Sequence, residues 1–270
     1  YITMEFTKMN GAGNDFVITD NRINKANYSQ ETISFLCDRN RGIGADGFMS
    51  VESAENDGAY KMRYYNADGG EAEMCGNGAR CFARFVFDCD GKVNHNMDIE
   101  TVAGMISAKI KGDLVQIKLS RPYDLNLNQE ITINDSSKSI HSINTGVPHA
   151  VVIEDTVSQV DLKSLGSYVR NHSLFSPAGT NVNFVQIDES DTLTIRTYER
   201  GVEDETLACG TGMVASALIY HQLNGIKPPV NVNVKGGDTL EVSWNYKENQ
   251  YSNVTLTGPA ITVFKGEIYV

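Results

Sequence analysis

The chain has 270 residues, of which 41% are hydrophobic and 21% are charged, and its formal net charge is −11. This length suits two domains of about 100–150 residues each, and the acidic balance argues against a nucleic-acid partner, because phosphates select clustered lysine and arginine. No apolar run reaches the roughly 18 residues of a membrane span, and residues 1–14 lack a secretory signal pattern, so we expect a cytoplasmic protein without a membrane partner.

The first half of the chain alternates short strands with two predicted helices. One helix is expected to begin at Ser29, and another covers Ala79–Asp88, directly after the sequence Cys75-Gly76-Asn77-Gly78. An alternating pattern then predicts two strands around a turn, Met105–Ile110 and Leu114–Leu119. The expected inward faces of the helices consist of Ile33, Leu36 and Cys37 in the first and Cys81, Phe82, Phe85 and Val86 in the second.

The second half of the chain repeats this order. Cys209-Gly210-Thr211-Gly212 follows Cys75-Gly76-Asn77-Gly78 at an offset of 134 positions, and Asn144 follows Asn10 at the same offset. Helices are expected from Asp161 and over Met213–Leu223, and paired strands over Thr239–Tyr246 and Tyr251–Thr257. Because several matches share one offset and one order, we expect a duplicated domain, with the first copy over residues 1–120, completed by a strand at about 261–270, and the second over 121–260.

The cysteine pattern favours reactive thiols over structural disulfides. The chain has five cysteines, an odd number, and no Cys-x-x-Cys pair. The five histidines are scattered without ligand spacing, so we expect no metal site. Cys37, Cys81 and Cys89 suit small buried hydrophobic positions.

Cys75 and Cys209 each precede a predicted helix, where unpaired backbone N–H groups form an anion site. Such a position can lower the pKa of a thiol, and the same N–H groups can hold a carboxylate beside it. This is the arrangement needed to remove a proton next to a carboxylate. One thiolate alone returns the proton to the same face, so inversion of a carbon centre needs a second thiol on the opposite face.

These residues resemble diaminopimelate epimerases, and the similarity runs from Phe6 to the end of the chain. The motifs that carry it are Lys8–Phe16 (KMNGAGNDF), Arg41–Gly47 (RGIGADG), Tyr65–Cys81 (YNADGGEAEMCGNGARC), Gly146–His149 (GVPH), Gly179–Phe184 (GTNVNF) and Glu199–Gly212 (ERGVEDETLACGTG). The family interconverts LL- and meso-diaminopimelate without a cofactor, in lysine and peptidoglycan precursor synthesis. The resemblance implies an α/β fold of the α+β type, with two pseudo-symmetric domains. Each is a curved, mostly antiparallel sheet wrapped around a central helix, and the active site lies in the interdomain cleft.

The resemblance also implies roles for single residues. Cys75 and Cys209 are implied to be the catalytic acid and base. The implied substrate-binding side chains are Asn14, Asn66, Asn181, Glu199 and Arg200. The backbone N–H groups implied to hold the carboxylate are those of Gly76, Asn77, Gly210 and Thr211. Asp15 and His149, which occupy matching positions in the two halves, are interpreted as supporting the site.

Charge chemistry agrees with these implied roles. Arg200 suits a second carboxylate held by two hydrogen bonds, and Glu199 suits an ammonium group. A solvated surface pair is the alternative for these two residues.

Two departures from the family pattern concern the distal end of the substrate. Val147 stands where many members carry asparagine, and the segment from Arg200 to Cys209 is one residue longer than usual.

Rival functions stay open at this point. A proline or hydroxyproline racemase would also use two cysteines, but it has no need of Glu199 and Arg200 for a second amino-acid group. A thiol–disulfide exchange protein would favour a local Cys-x-x-Cys sequence. An amino-acid binding protein without chemistry would keep its function without Cys75. The sequence does not fix the oligomeric state, and a homodimer is one option.

Overall fold

A computed structural model describes residues 3–72, 75–133 and 136–270. The chain divides into two compact units, one formed by Tyr1–Lys118 with Thr257–Val270 and the other by Leu119–Leu256. Across the described residues, no helix has the length and apolar character needed to cross a membrane.

Strands dominate both units, and each unit has one long helix. The first unit contains β1 (Thr3–Gly11), β2 (Asn14–Asp20), α1 (Gln30–Cys37), β3 (Gly47–Glu52), β4 (Tyr60–Asn66), β5 (Glu71–Ala72), α2 (Gly76–Cys89), β6 (Asn96–Thr101), β7 (Gly104–Lys111) and β8 (Leu114–Lys118). Then follow β9 (Tyr123–Ile133), β10 (Ser136–Asn144), β11 (Pro148–Ile153), α3 (Leu162–Arg170), β12 (Asn181–Ile187), β13 (Leu193–Glu199), β14 (Asp204–Thr206), α4 (Gly210–Asn224), β15 (Val230–Asn233), β16 (Thr239–Lys247) and β17 (Gln250–Pro259). The chain returns to the first unit at Thr257, within β17, and ends there with β18 (Ile261–Tyr269).

The first unit is a mostly antiparallel sheet. β1 pairs antiparallel with β18 on one side and with β2 on the other. β2 and β3 are parallel, β3 and β4 antiparallel, and β4 pairs antiparallel with β5 and parallel with β6. β6, β7 and β8 continue as antiparallel neighbours. Burial alternates along β7, as expected for a strand with one face on the core.

The second unit repeats this connectivity. β9 and β10 are antiparallel, as are β10 and β11. β11 and β12 are parallel, β12 and β13 antiparallel, and β13 pairs antiparallel with β14 and parallel with β15. β15 and β16 are antiparallel. The same pairings in the same order confirm the internal duplication inferred from the sequence.

The long helix of each unit packs against the sheet of that unit. α2 contacts β1, β2, β3, β7 and β8, and its predicted inward face is buried. α4 contacts β10, β11, β12, β13, β15 and β16. Phe82 of α2 is completely buried, and replacing such a side chain by alanine costs about 3–5 kcal/mol of stability. The α/β fold, with a mostly antiparallel sheet and a central helix in each half, is confirmed.

Both long helices begin earlier than the sequence pattern predicts. α2 starts at Gly76 rather than at Ala79, and α4 starts at Gly210 rather than at Met213. Glycine has poor helix propensity, so the first turn does not stand out in the periodic pattern. In both helices the cysteine is the N-cap residue itself, with an extended backbone conformation.

Candidate active site

The predicted site residues lie at strand ends and at the first turn of the long helix in each unit. In the first unit, Gly47 of β3 pairs with Phe16 of β2 and with Asn66 of β4. In the second, His149 of β11 pairs with Asn181 of β12. Asp15 directly precedes Phe16 on β2, so it lies beside the residues Phe16, Gly47 and Asn66 that pair across the sheet. Glu199 is the last residue of β13, the strand that pairs with β12.

Cys75 caps α2 in the first unit. Its Sγ accepts a hydrogen bond from the backbone N–H of Gly78 at 3.5 Å. The first bond of the helix runs from the N–H of Ala79 to the carbonyl of Cys75, so the N–H groups of Gly76 and Asn77 precede it. Donors at this position favour an anion, either a thiolate at Cys75 or a carboxylate beside it.

The side chain of Asn77 contacts Asn14. Nδ2 of Asn77 donates to Oδ1 of Asn14 at 2.6 Å, and Nδ2 of Asn14 donates to Oδ2 of Asp46 at 3.0 Å. At the other end, Arg80 donates from Nη2 to Oδ1 of Asn77 at 2.9 Å. Two predicted site residues are thus joined in one hydrogen-bonded chain.

Asp15 is held by two cations rather than exposed to solvent. Lys8 lies 2.8 Å from Oδ2 of Asp15, and Arg39 bonds to both carboxylate oxygens. Burial alone raises the pKa of Asp15, but the hydrogen bonds from Arg39 and Lys8 outweigh it and lower the pKa to about 2. The carboxylate therefore stays ionised and ties β1 to β2, which fits a supporting role.

Asn66 ends β4 with an exposed side chain. Its backbone N–H donates to the carbonyl of Gly70, and its carbonyl accepts from Gly69, so the main chain is fixed by a turn. The side chain can therefore meet a ligand from a defined position.

Cys209 caps α4 in the second unit and is buried. The first helix bond here runs from Met213 to the carbonyl of Cys209, so the N–H groups of Gly210 and Thr211 precede it, as in the first unit. Sγ of Cys209 lies 3.6 Å from Oγ1 of Thr211.

His149 connects to this cysteine through Thr211. Its Nε2 lies 2.8 Å from Oγ1 of Thr211, and its Nδ1 lies 3.0 Å from Nδ2 of Asn183. Asn183 also donates to the carbonyl of Ala150 and accepts from Thr197, so its amide nitrogen faces the ring. Nδ1 of His149 is therefore the acceptor, and Nε2 carries the hydrogen that is donated to Thr211.

Complete burial lowers the pKa of His149 to about 3, with a further contribution from the positive charge of Arg200. The ring is therefore neutral at neutral pH. A neutral ring with a fixed hydrogen can orient the hydroxyl of Thr211 but does not add charge beside Cys209.

Glu199, Arg200 and Asn181 meet at the end of β13. The backbone N–H of Arg200 donates to Oδ1 of Asn181 at 2.8 Å, and Nδ2 of Asn181 donates to the carbonyl of Pro148. Nη1 of Arg200 lies 3.3 Å from the carbonyl of Ala178. Burial raises the pKa of Glu199, so this carboxyl group holds its proton more tightly than an exposed glutamate. A ligand ammonium group beside it would favour the ionised form.

The sequence interpretation missed three residues that organise the site, Asp46, Arg80 and Asn183. All three lie inside motifs already singled out, within Arg41–Gly47, Tyr65–Cys81 and Gly179–Phe184. Their position in these motifs was the available signal. Within the described residues, no group of three His, Cys, Asp or Glu side chains is placed to hold a metal ion.

Comparisons with known sequences identify one family, and comparisons with solved structures identify the same fold in differently named proteins. A family model described as diaminopimelate epimerase matches residues 6–121 and 141–263. The chain is 39% identical over 280 residues to a diaminopimelate epimerase of Aquifex aeolicus, with 98% of each chain covered. It shares its fold with a Bacillus anthracis phenazine biosynthesis protein of the PhzF family (TM-score 0.75, 15% identity, 100% of both chains). It also shares it with a hydroxyproline epimerase from Agrobacterium vitis (TM-score 0.72, 14% identity, 98% of this chain and 92% of that one).

Proposed function

Because the chain belongs to the diaminopimelate epimerase family, we propose that it interconverts LL- and meso-2,6-diaminopimelate by moving the proton of one α-carbon. The reaction is an isomerisation that uses no pyridoxal phosphate, and its product serves lysine and cell-wall precursor synthesis. The observation that carries this proposal is the cysteine at the N-cap of the central helix in each unit, Cys75 and Cys209.

The proposed mechanism uses the two sulfur atoms on opposite faces of one carbon. One cysteine, as the thiolate, removes the α-proton, and the other, as the thiol, delivers a new proton from the other side. Their roles exchange with the handedness of the substrate. No proton is gained or lost overall, because one sulfur gains a hydrogen as the other loses one.

The α-hydrogen is weakly acidic because its removal places charge on the carboxylate oxygens. We assign the stabilisation of this charge to the backbone N–H groups of Gly76, Asn77, Gly210 and Thr211, which precede the first helix bonds. Donors fixed in this way need no reorganisation during the reaction, and loss of one such donor costs about 3–4 kcal/mol in other enzymes.

The distal amino-acid group of the substrate needs charged and amide partners of its own. We assign its carboxylate to Arg200 and an ammonium group to Glu199. Asn14, Asn66 and Asn181 orient the substrate without adding net charge. The half-buried side chain of Val147 cannot donate a hydrogen bond, so distal recognition depends on the other residues.

Thr211 has a second role in this proposal, through its side-chain hydroxyl. Held by the neutral ring of His149, it donates toward Sγ of Cys209 and favours the thiolate. Asp15 supports the opposite half through its ion pairs with Lys8 and Arg39.

We place the enzyme in the cytoplasm and propose that it forms a homodimer. Support for a second copy comes from apolar side chains exposed on β18, namely Ile261, Val263, Phe264 and Tyr269. Sedimentation equilibrium distinguishes a dimer of this chain from a monomer.

The experiment that tests the function is turnover in deuterium oxide. LL-diaminopimelate should yield the meso form with deuterium at the inverted α-carbon, whereas L-proline under the same conditions should stay unchanged. Turnover of L-proline without turnover of diaminopimelate would assign the chain to the racemase reaction instead.

A further inference from the structure

In the first unit, hydrogen bonds join four side chains in a row, from the carboxylate of Asp46 to the guanidinium of Arg80. Asp46 accepts from Asn14 at 3.0 Å, Asn14 accepts from Asn77 at 2.6 Å, and Asn77 accepts from Arg80 at 2.9 Å. Every bond in this chain donates in the same direction, toward Asp46.

The two ends of the chain determine that direction. An ionised carboxylate can only accept hydrogen bonds, and a guanidinium can only donate them. An asparagine amide can be turned by 180° with little change in shape, so its orientation is decided by its partners. If the amides of Asn14 and Asn77 were both reversed, the oxygen of Asn14 would face the carboxylate of Asp46, so two acceptors would meet. The nitrogen of Asn77 would likewise face the guanidinium of Arg80, so two donors would meet. Only one orientation of Asn14 and Asn77 therefore satisfies all four groups.

Both ends are firmly anchored. The side chain of Arg80 is completely buried and also donates to the carbonyls of Gly76 and Pro259. Asp46 accepts from Arg39 through Oδ1 and from the backbone N–H of Asp15 through Oδ2. Neither end can rotate away without losing these bonds.

We propose that Asp46 and Arg80 are positioning residues that lock the amide of Asn14 in the substrate site, an inference that rests on the proposed function. The lock holds the oxygen of Asn14 toward Asn77 and its nitrogen toward Asp46. Without the lock, the amide of Asn14 could turn by 180° and exchange the positions of its nitrogen and its oxygen. The locked amide has one orientation, so the substrate binds without the entropy cost of ordering this side chain.

The first test is the kinetics of Asp46→Asn. An amide at position 46 has one oxygen, so it loses either the bond from Arg39 or the bonds from Asn14 and the N–H of Asp15, and its nitrogen then faces a donor. The lock is therefore weakened in either orientation of the new amide. We expect KM for LL-diaminopimelate to rise about fivefold to tenfold, as for one lost hydrogen bond, with kcat within about twofold. The matched control is Asp20→Asn at the other end of β2, where the carboxylate also pairs with an arginine, Arg22. An unchanged KM in D46N, or an equal rise in D20N, overturns the proposal.

The second test separates positioning from simple structural support. Arg80→Lys keeps a cationic donor and should recover most of the affinity that Arg80→Gln loses. Once one end is lost, loss of the other should add little, so the effects of D46N and R80Q on KM should be strongly non-additive. Additive effects of the two substitutions on KM would contradict the proposed lock. If R80Q does not fold, Asn77→Ala interrupts the same chain and replaces it.

A third measurement needs no turnover, so it separates failure of this inference from failure of the proposed function. In urea unfolding of the full chain, D46N and R80Q should show coupled destabilisations, and this coupling should vanish in the Asn14→Ala background. Coupling without diaminopimelate turnover would leave the lock intact and defeat only the proposed substrate. Turnover without coupling would defeat only the lock.

Discussion

Nε2 of His149 lies 2.8 Å from Oγ1 of Thr211, the residue whose hydroxyl stands next to Sγ of Cys209. The amide of Asn183 fixes the hydrogen of the ring on Nε2, so the hydroxyl of Thr211 is occupied as an acceptor on that side. In the proposed site, its own hydrogen is directed to the sulfur, 3.6 Å away. A buried, neutral histidine thus influences a cysteine that it does not touch.

Removing this hydroxyl should slow the enzyme. Thr211→Val keeps the shape of the side chain but loses the donor to Cys209, and a hydrogen bond to a charged group contributes about 1.5–3 kcal/mol. We expect kcat/KM for LL-diaminopimelate to fall about tenfold to a hundredfold. Thr211→Ser, which retains the hydroxyl, is the control and should stay within a few-fold of the wild type. Equal losses in both variants would show that the methyl group matters and the hydroxyl does not.

The buried ring of His149 should make the protein less stable in mild acid. Its pKa is lowered from 6.5 to about 3 in the folded protein, so the unfolded chain binds more protons between these values. Stability therefore falls as pH drops below about 6.5, by about 2 kcal/mol between pH 7.5 and pH 5 from this group.

Urea unfolding of the wild type and of His149→Gln at these two pH values checks this prediction. The variant should lose about 2 kcal/mol less stability on acidification, because glutamine does not titrate. The same pH dependence in both proteins would mean that the ring is accessible to protons in the folded state.

Glu199 should couple substrate binding to pH. Burial raises its pKa, so the free enzyme keeps the neutral carboxyl form to a higher pH than an exposed glutamate would. Only the carboxylate attracts an ammonium group, so KM should fall as pH rises through this pKa. Glu199→Gln should raise KM and remove this pH dependence. Glu189→Gln, at an exposed glutamate of the same unit, is the control and should behave like the wild type.

Gly212 should be less tolerant of a side chain than Gly78, its counterpart in the other half. A Cβ at Gly212 would lie 2.3 Å from Oδ1 of Asn183, so this side chain must shift and disturb both the bond that its Oδ1 accepts from Thr197 and the contact of its Nδ2 with the ring of His149. A Cβ at Gly78 meets Sδ of Met49 at 3.3 Å, a flexible neighbour. We expect Gly212→Ala to cost about 1–3 kcal/mol of stability in urea unfolding and Gly78→Ala clearly less. Equal costs would contradict the tight contact with Asn183.

Local signals in the sequence predicted several elements correctly. Helix starts at Ser29 and Asp161 are confirmed, and each side chain accepts from the backbone N–H three residues later. Capping depends on neighbours in sequence, so a single chain is enough to predict it. The repeated Cys-Gly-x-Gly sequence likewise predicted where the two long helices lie, although the glycines concealed their first turns.

Contacts between distant positions could not be predicted in this way. Asn183 meets His149 across 34 positions, and Asp46 meets Asn14 across 32. Nothing in the sequence near either partner specifies the other, because the contacts depend on the parallel pairing of β11 with β12 and of β2 with β3. The catalytic and binding roles of the site residues stay predictions until tested.

The most direct measurement is proton exchange on LL-diaminopimelate in deuterium oxide with the wild type, Cys75→Ser and Cys209→Ser. The two-base account predicts that the wild type forms meso product carrying solvent deuterium at the inverted carbon, and that each variant loses interconversion in both directions. Full epimerase activity in either variant would contradict it.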